Sequence, residues 1–110
     1  MRLMLAVALG ALMTGAPAWA ADTPDGGALF TARCAICHAK GGFGANILAR
    51  RLGEGGAVLE TRVDLQPAYV TTAVRRGIGS MPPFSRVELT DPELQAITGY
   101  LARPRATAAR

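Results

Sequence analysis

Apolar side chains recur every three or four positions in the C-terminal half of the chain, which is the period of an amphipathic helix. One such stretch covers 67–76 and another covers 90–103. Their apolar stripes consist of Val70, Ala73 and Val74 in the first, and Leu94, Ile97 and Leu101 in the second. Pro67 suits the first turn of a helix, and Gly77 suits the left-handed helical (αL) position that ends one, so both ends of the first helix are predicted.

The last predicted helix carries the strongest start signal of the chain. Thr90 and Glu93 have the spacing of a capping box, and Pro92 falls in the first turn, where its missing N–H costs nothing. Pro104 predicts that the helix ends just before it.

A third helix is predicted with Thr23 as N-cap and Pro24 at its first position, running to about Cys34. Gly26 and Phe30 then share one face, and Gly26 would let another helix come close.

Between the N-terminal helix and residue 67 the chain is rich in glycine, which predicts only short helical pieces over 46–52 and 57–60. No alternation of apolar and polar residues is long enough to build a sheet. The sequence therefore predicts an all-α fold.

The N-terminus has the form of a secretory signal peptide: a positive start, an apolar run over 3–12 and a small-x-small motif at 18–20. We predict a cleaved leader over 1–20, a domain over 21–104 and a flexible tail over 105–110. The mature protein would lie in the periplasm. A membrane anchor is disfavoured because the apolar run is shorter than the roughly 20 residues that a spanning helix needs, so no stable membrane insertion is expected after cleavage.

The net charge of +4 is mild, and the basic residues are scattered. Arg50-Arg51 and Arg75-Arg76 are the only basic doublets outside the leader, which is no footprint for nucleic acid. Lys40, Arg75 and Arg76 are candidates for steering an acidic protein partner, or are ordinary solvated charges.

The candidate chemistry lies in Cys34-Ala35-Ile36-Cys37-His38, which holds both cysteines and the single histidine of the sequence. Cys-x-x-Cys-His is the spacing of c-type haem attachment: two thiols form thioethers with the haem vinyl groups, and the histidine ligates the iron. We therefore predict one haem c, covalently bound through Cys34 and Cys37, with His38 as an iron ligand.

Other uses of the two cysteines fit less well. A structural zinc site needs four ligands, and the chain has three such residues, all in this motif. A thioredoxin-like dithiol expects a βαβ framework, which the pattern does not contain. A simple disulfide remains open, but it leaves His38 unexplained.

Met81 is the only methionine outside the predicted leader. It lies in a segment, residues 77–84, that its paired prolines exclude from helix and central strand; we call this segment the Met81 loop. A thioether on the second axial position makes a six-coordinate iron suited to electron transfer. We predict Met81 as that ligand, although a core-filling role and an open iron remain alternatives.

The two motifs in this order, with terminal helices bearing Gly26/Phe30 and Ile97/Tyr100, resemble a small class I cytochrome c. The resemblance implies three to five helices wrapped around one haem, with the first and last helices crossing at Gly26. It also implies His38 as proximal and Met81 as distal ligand. Members of this family often carry Gly-Pro after the haem histidine, and a carbonyl there accepts its Nδ1–H. Here the matching position is Gly44-Ala45, and the Ala45 carbonyl is the expected acceptor.

The predicted function is thus that of a one-electron carrier and not an enzyme. Its partners would be redox proteins: a dehydrogenase as donor, and an oxidase or another cytochrome as acceptor. The stretch from Tyr69 through the Met81 loop is also similar to the cytochrome subunits of flavin- or quinone-dependent dehydrogenases of alcohols and phenols, which keeps a subunit role open. An open-site haem enzyme or gas sensor is a further alternative. Candidate partners of the haem propionates are Tyr69, Arg50, Arg51 and Arg62.

Overall fold

A computed structural model describes residues 22–103, so the predicted leader, the predicted tail and Pro104 lie outside the described residues. The described part is helical, as predicted, and an isolated bridge between Ile78 and Met81 is its only β pairing. Its helices are α1 (Gly26–Arg33), α2 (Ala35–His38), α3 (Phe43–Leu52), α4 (Pro67–Arg76) and α5 (Asp91–Ala102), with two 3₁₀ turns at Glu54–Gly56 and Leu59–Thr61.

Helix α1 begins later than the sequence predicts. Asp25, not Thr23, is the N-cap: its Oδ1 accepts hydrogen bonds from the backbone N–H of Gly27 at 2.8 Å and of Ala28 at 3.1 Å. An aspartate is as good an N-cap as a threonine, and here it reaches two of the free N–H groups of the first turn.

Helices α1 and α5 cross at Gly26, in agreement with the prediction. A Cβ on Gly26 would lie 2.1 Å from the carbonyl oxygen of Ala96 and 2.9 Å from Cβ of Tyr100. No side chain fits there, so only glycine lets the two backbones approach this closely. The rings of Phe30 and Tyr100 pack beside this crossing, with their centroids 5.9 Å apart.

The core lies between α1, α4, α5 and the segments that join them. Its buried members are Phe30, Leu65, Val70, Val74, Leu89, Leu94, Ile97 and Leu101. Cys34 and Met81, which belong to the two predicted ligand motifs, are half-buried and pack against this cluster. The same core therefore anchors both motifs.

The middle of the chain is more regular than its glycines predict. The sequence predicts a helix over 46–52, but α3 begins at Phe43 and includes Gly44. The piece predicted over 57–60 is replaced by the two 3₁₀ turns. Glycine lowers helix propensity by about 1 kcal/mol, which packing of the helix against its neighbours outweighs here.

The two C-terminal helices follow their sequence signals closely. Helix α4 has the predicted ends, and Gly77 follows it with φ 72° and ψ 160°, a positive φ but not the left-handed helical pair expected. The capping box of Thr90 and Glu93 is present in full at the start of α5. Among residues 22–103, no helix is both long and apolar enough to cross a membrane.

Candidate haem site

The Cys-x-x-Cys-His motif folds into a single helical turn. Cys34 ends α1, where its N–H donates to the carbonyl of Phe30 at 2.8 Å. Its own carbonyl accepts from the N–H of Cys37 at 3.1 Å and of His38 at 3.0 Å. The Cys34 carbonyl thus closes the turn that carries Cys37 and His38. The kink at Cys34 separates α1 from α2.

No disulfide joins Cys34 and Cys37 in the structure. Burial is the main cause that raises the pKa of the Cys34 thiol to about 11, with Arg33 opposing and Cys37 adding to the rise. A redox-active or metal-binding thiol needs a lowered pKa. The environment of Cys34 therefore disfavours the thioredoxin-like alternative. Within residues 22–103, moreover, no group of three or more His, Cys, Asp and Glu side chains could hold a metal ion.

The imidazole of His38 is half-buried, and burial lowers its pKa. The neutral form that can ligate iron is thereby favoured. Its Nδ1 is buried and has no hydrogen-bond partner among the described residues, so the expected bond to the Ala45 carbonyl is not formed. A Cβ on Gly44 would lie 3.2 Å from Nδ1 and 3.1 Å from Cε1, so the backbone of α3 runs directly against the ring.

Met81 is held at the end of a tight turn. Its N–H donates to the carbonyl of Ile78 at 2.9 Å, and the N–H of Ile78 donates back to the carbonyl of Met81 at 3.1 Å. Gly79 has φ 56°, the positive value that a type II′ turn places at its first central residue. A Cβ on Gly77 would lie 2.6 Å from the Met81 carbonyl oxygen, so this glycine too is required by close approach.

Arg75 does not have the exposed position expected of a steering residue. Its side chain is only 14% exposed and donates to the carbonyls of Phe84, Ser85 and Leu89 and to the carboxylate of Asp91. No sequence signal marks these contacts, because their partners lie 9 to 16 residues away.

Lys40 and Arg76 are exposed, as a steering role requires. They lie beyond the haem motif and at the end of α4, respectively. Of the three candidate steering residues, these two can meet a partner from solution.

The arrangement fits a covalently bound haem. It offers two thiols on one turn with an imidazole whose pKa burial lowers, and Gly44 puts no side chain of its own against that ring. The thioether of Met81 is held separately by the Met81 loop. The large apolar side chains that are exposed in the described residues are Ile36, Phe43, Leu52, Val63, Tyr69, Ile78 and Val87. None of these exposed side chains belongs to α1 or α5.

Comparison with known protein families identifies the family of this chain. Residues 21–101 match the family described as cytochrome c oxidase, cbb3-type, subunit III. The chain belongs to the class I c-type cytochromes. The cofactor of this family is haem c, bound covalently, and its members transfer electrons.

Individual relatives agree with this cytochrome assignment. A cytochrome c6 of Cyanidioschyzon merolae is 35% identical over 76% of this chain and 75% of its own length. A cytochrome c6 of Picosynechococcus is 34% identical, with 93% of each chain covered. A chain in a crystal structure of p-cresol methylhydroxylase with substrate bound has a TM-score of 0.55 and 30% identity, covering 76% of this chain and 97% of that one.

The cytochrome also has a cavity of about 370 Å³ beside the two 3₁₀ turns, lined by Leu52, Gly55, Gly56, Thr61, Arg62, Val63 and Asp64. Arg62 forms a bidentate pair with Asp64, with N–O distances of 2.9 and 2.7 Å. Of the candidate propionate partners, Arg50, Arg51 and Tyr69 are exposed, whereas Arg62 is half-buried and oriented by Asp64.

Proposed function

We propose that this cytochrome is a one-electron carrier whose haem is attached through Cys34 and Cys37 and ligated by His38 and Met81. The observation that carries the proposal is the single turn of α2, on which the Cys34 carbonyl accepts hydrogen bonds from the N–H groups of Cys37 and His38. When bound, haem c supplies a one-electron couple at its iron. The chain would hold the group through Cys34 and Cys37 and supply both axial ligands, and it performs no reaction on a substrate.

The environment of each ligand supports this assignment. Burial lowers the pKa of the His38 imidazole and so favours the neutral form that binds iron. The two backbone bonds between Ile78 and Met81 fix the local backbone conformation of the thioether-bearing residue. A ligand that stays in place in both oxidation states requires little reorganisation, which suits electron exchange.

A pyridine haemochrome spectrum and the mass of the protein test the attachment. Wild type should carry one covalent haem, Cys34→Ser and Cys37→Ser should each carry a single thioether, and the double variant should hold no covalent haem. Covalent haem in the double variant would contradict the attachment site. A red charge-transfer band in the ferric protein, lost in Met81→Ala, tests the distal ligand.

Carbon monoxide discriminates the carrier from an open-iron enzyme or sensor. A ferrous iron closed by Met81 should bind carbon monoxide slowly at neutral pH, whereas Met81→Ala should bind it rapidly. Rapid binding by the wild-type protein would favour the enzyme or sensor.

A second candidate role is that of a subunit in a flavin- or quinone-dependent dehydrogenase of alcohols or phenols. It is supported by the 30% identity to a chain in a p-cresol methylhydroxylase structure. A subunit should copurify in a stable complex with a flavin- or quinone-containing protein, while a free carrier should elute alone with its haem.

Export to the periplasm, with cleavage of residues 1–20, completes the proposal. Redox proteins of that compartment would then be its donor and acceptor. N-terminal sequencing of the haem-loaded protein tests it: a mature N-terminus at Ala21 is expected, and a retained Met1 would contradict it. The same proposal assigns the cytochrome domain to residues 21–104 and a flexible tail to 105–110, which limited proteolysis can check.

A further inference from the structure

We propose that Arg75 is a positioning residue for the distal iron ligand: its guanidinium fixes the end of the Met81 loop and so keeps the Met81 thioether on the iron. This inference rests on the proposed ligation by Met81. It assigns to Arg75 a role different from electrostatic steering of a partner.

The contacts of Arg75 converge on the chain just beyond Met81. Nη1 donates to the carbonyl oxygens of Phe84 and Ser85, each at 3.1 Å, and of Leu89 at 2.9 Å. Nη2 donates to Oδ1 of Asp91 at 2.7 Å. One guanidinium on α4 thus holds the whole connection that leads from the Met81 loop into α5.

The backbone reinforces this attachment at the same point. The N–H of Phe84 donates to the carbonyl of Val74 at 2.8 Å, one residue before Arg75. The chain leaves α4 at Gly77 and returns to it at Phe84, so the Met81 loop is closed at its base. Arg75 and the bond between Phe84 and Val74 form that closure together.

The sequence of the loop leaves few other means of holding it. Pro82 and Pro83 have no N–H, so no backbone donor lies between the N–H of Met81 and that of Phe84. The two bonds between Ile78 and Met81 fix the loop tip internally but do not tie it to the helices. Besides the packing of Met81 itself against the core, contacts made after the prolines therefore determine where the loop sits.

Arginine is suited to this role and lysine is not. Its planar guanidinium presents five donors in a fixed fork, whereas a lysine ammonium presents three from one point. The next residue, Arg76, offers a matched control, because it carries the same charge at the same helix end but is exposed.

The test measures how often the distal position opens. An external ligand such as imidazole binds ferric iron only when Met81 has left it, so its apparent affinity rises with the open fraction. We expect Arg75→Gln to bind imidazole about tenfold more tightly than wild type. Its red charge-transfer band should disappear on warming while the helical circular dichroism persists. Arg75→Lys should behave like Arg75→Gln, and Arg76→Gln should match wild type.

Several outcomes would overturn the role of Arg75. They are equal imidazole affinity in Arg75→Gln and Arg76→Gln, full rescue by Arg75→Lys, or loss of the band only together with the helical signal. If Arg75→Gln yields no haem-loaded protein, Asp91→Ala carries the test, since it removes one of the four acceptors. It should bind imidazole more tightly than wild type, and wild-type affinity would overturn the proposal. A wild-type protein without the band would instead contradict Met81 ligation itself.

Discussion

Nη2 of Arg75 lies 2.7 Å from Oδ1 of Asp91, and this pair joins the last turn of α4 to the first turn of α5. Arg86 donates to the other oxygen of the same carboxylate at 2.9 Å. Asp91 therefore accepts from two guanidinium groups, one nearly buried and one exposed. It also lies where the positive end of the α5 dipole favours an acid.

The pairing of Asp91 predicts a specific acid sensitivity. Hydrogen bonds from Arg86 and then Arg75 hold the pKa of Asp91 below its ordinary value of about 3.9. Because the folded-state pKa is the lower one, the stabilisation is complete above the ordinary value and is lost as the pH falls through the folded-state value. Asp91→Asn should be less stable than wild type at pH 7, and the difference should shrink below about pH 4.

Denaturant unfolding of the ferric protein at several pH values measures this difference. Glu88 and Glu93 also have lowered pKa values, from bonds to the Ser85 and Thr90 backbone and side chains, but both remain in the variant and cancel in the comparison. A stability difference that does not change with pH would show that Asp91 acts through packing and not through its charge.

The crossing of α1 and α5 makes Gly26 intolerant of any side chain. Gly26→Ala would bring Cβ to 2.1 Å from the Ala96 carbonyl oxygen, so the helices must separate. We expect a loss of about 1–3 kcal/mol in the free energy of unfolding. Gly99→Ala is the matched control, because Gly99 is exposed on α5 and a Cβ added there would meet no atom within 4 Å. It should stabilise the protein by about 0.5–1 kcal/mol, and equal effects at both sites would contradict the crossing.

The close contact between Gly44 and His38 predicts that a side chain at position 44 destabilises the protein. A Cβ at this position would lie 2.9 Å from the Cys37 carbonyl oxygen and 3.1 Å from Cε1 of His38. Gly44→Ala should turn the imidazole or displace α3, at a cost of about 1–3 kcal/mol in stability. Gly55→Ala, with nothing within 4 Å, should leave stability nearly unchanged. Denaturant unfolding followed by the haem absorbance compares the two, and equal stabilities would be inconsistent with the close contact.

The hydroxyl of Tyr100 donates to Oε1 of Glu60 and ties α5 to the second 3₁₀ turn, 40 residues earlier in the chain. Tyr100→Phe keeps the ring that packs on Phe30 and removes only this bond. We expect a loss of about 1.5–3 kcal/mol in the free energy of unfolding, the usual range for a hydrogen bond to a charged group. Denaturant unfolding measures this loss, and Glu60→Gln, which can still accept a hydrogen bond, should lose less. A larger loss in Glu60→Gln than in Tyr100→Phe would contradict this account.

Local signals predict the parts of the fold that local bonds determine. The ends of α4 and the capping box of α5 are correct because proline, glycine, threonine and glutamate act within one turn of their positions. The predicted start of α1 is wrong because Thr23 and Asp25 both suit an N-cap, and the fold shows that Asp25 reaches the free N–H groups.

Contacts between distant residues could not be predicted from the pattern. The role of Arg75 depends on carbonyls of a segment without regular spacing, and a surface charge and a buried one look alike in sequence. The close approach of α3 to the His38 ring at Gly44 is likewise a contact that the pattern does not show. The haem motif itself is evident from the sequence because its chemistry requires five adjacent residues.

Replacing Met81 by histidine provides the sharpest test of the proposed distal ligand. Imidazole favours ferric iron more than a thioether does, so Met81→His should keep the covalent haem but lower its reduction potential. For a one-electron couple, each tenfold change in relative affinity shifts the potential by about 59 mV. We expect a fall of at least about 100 mV, which corresponds to a change of at least about 50-fold in the relative affinity of the ligand for ferric over ferrous iron. Spectroelectrochemical titration measures it, with the pyridine haemochrome confirming equal haem content. An unchanged potential would mean that Met81 is not on the iron, and that this residue only fills the core.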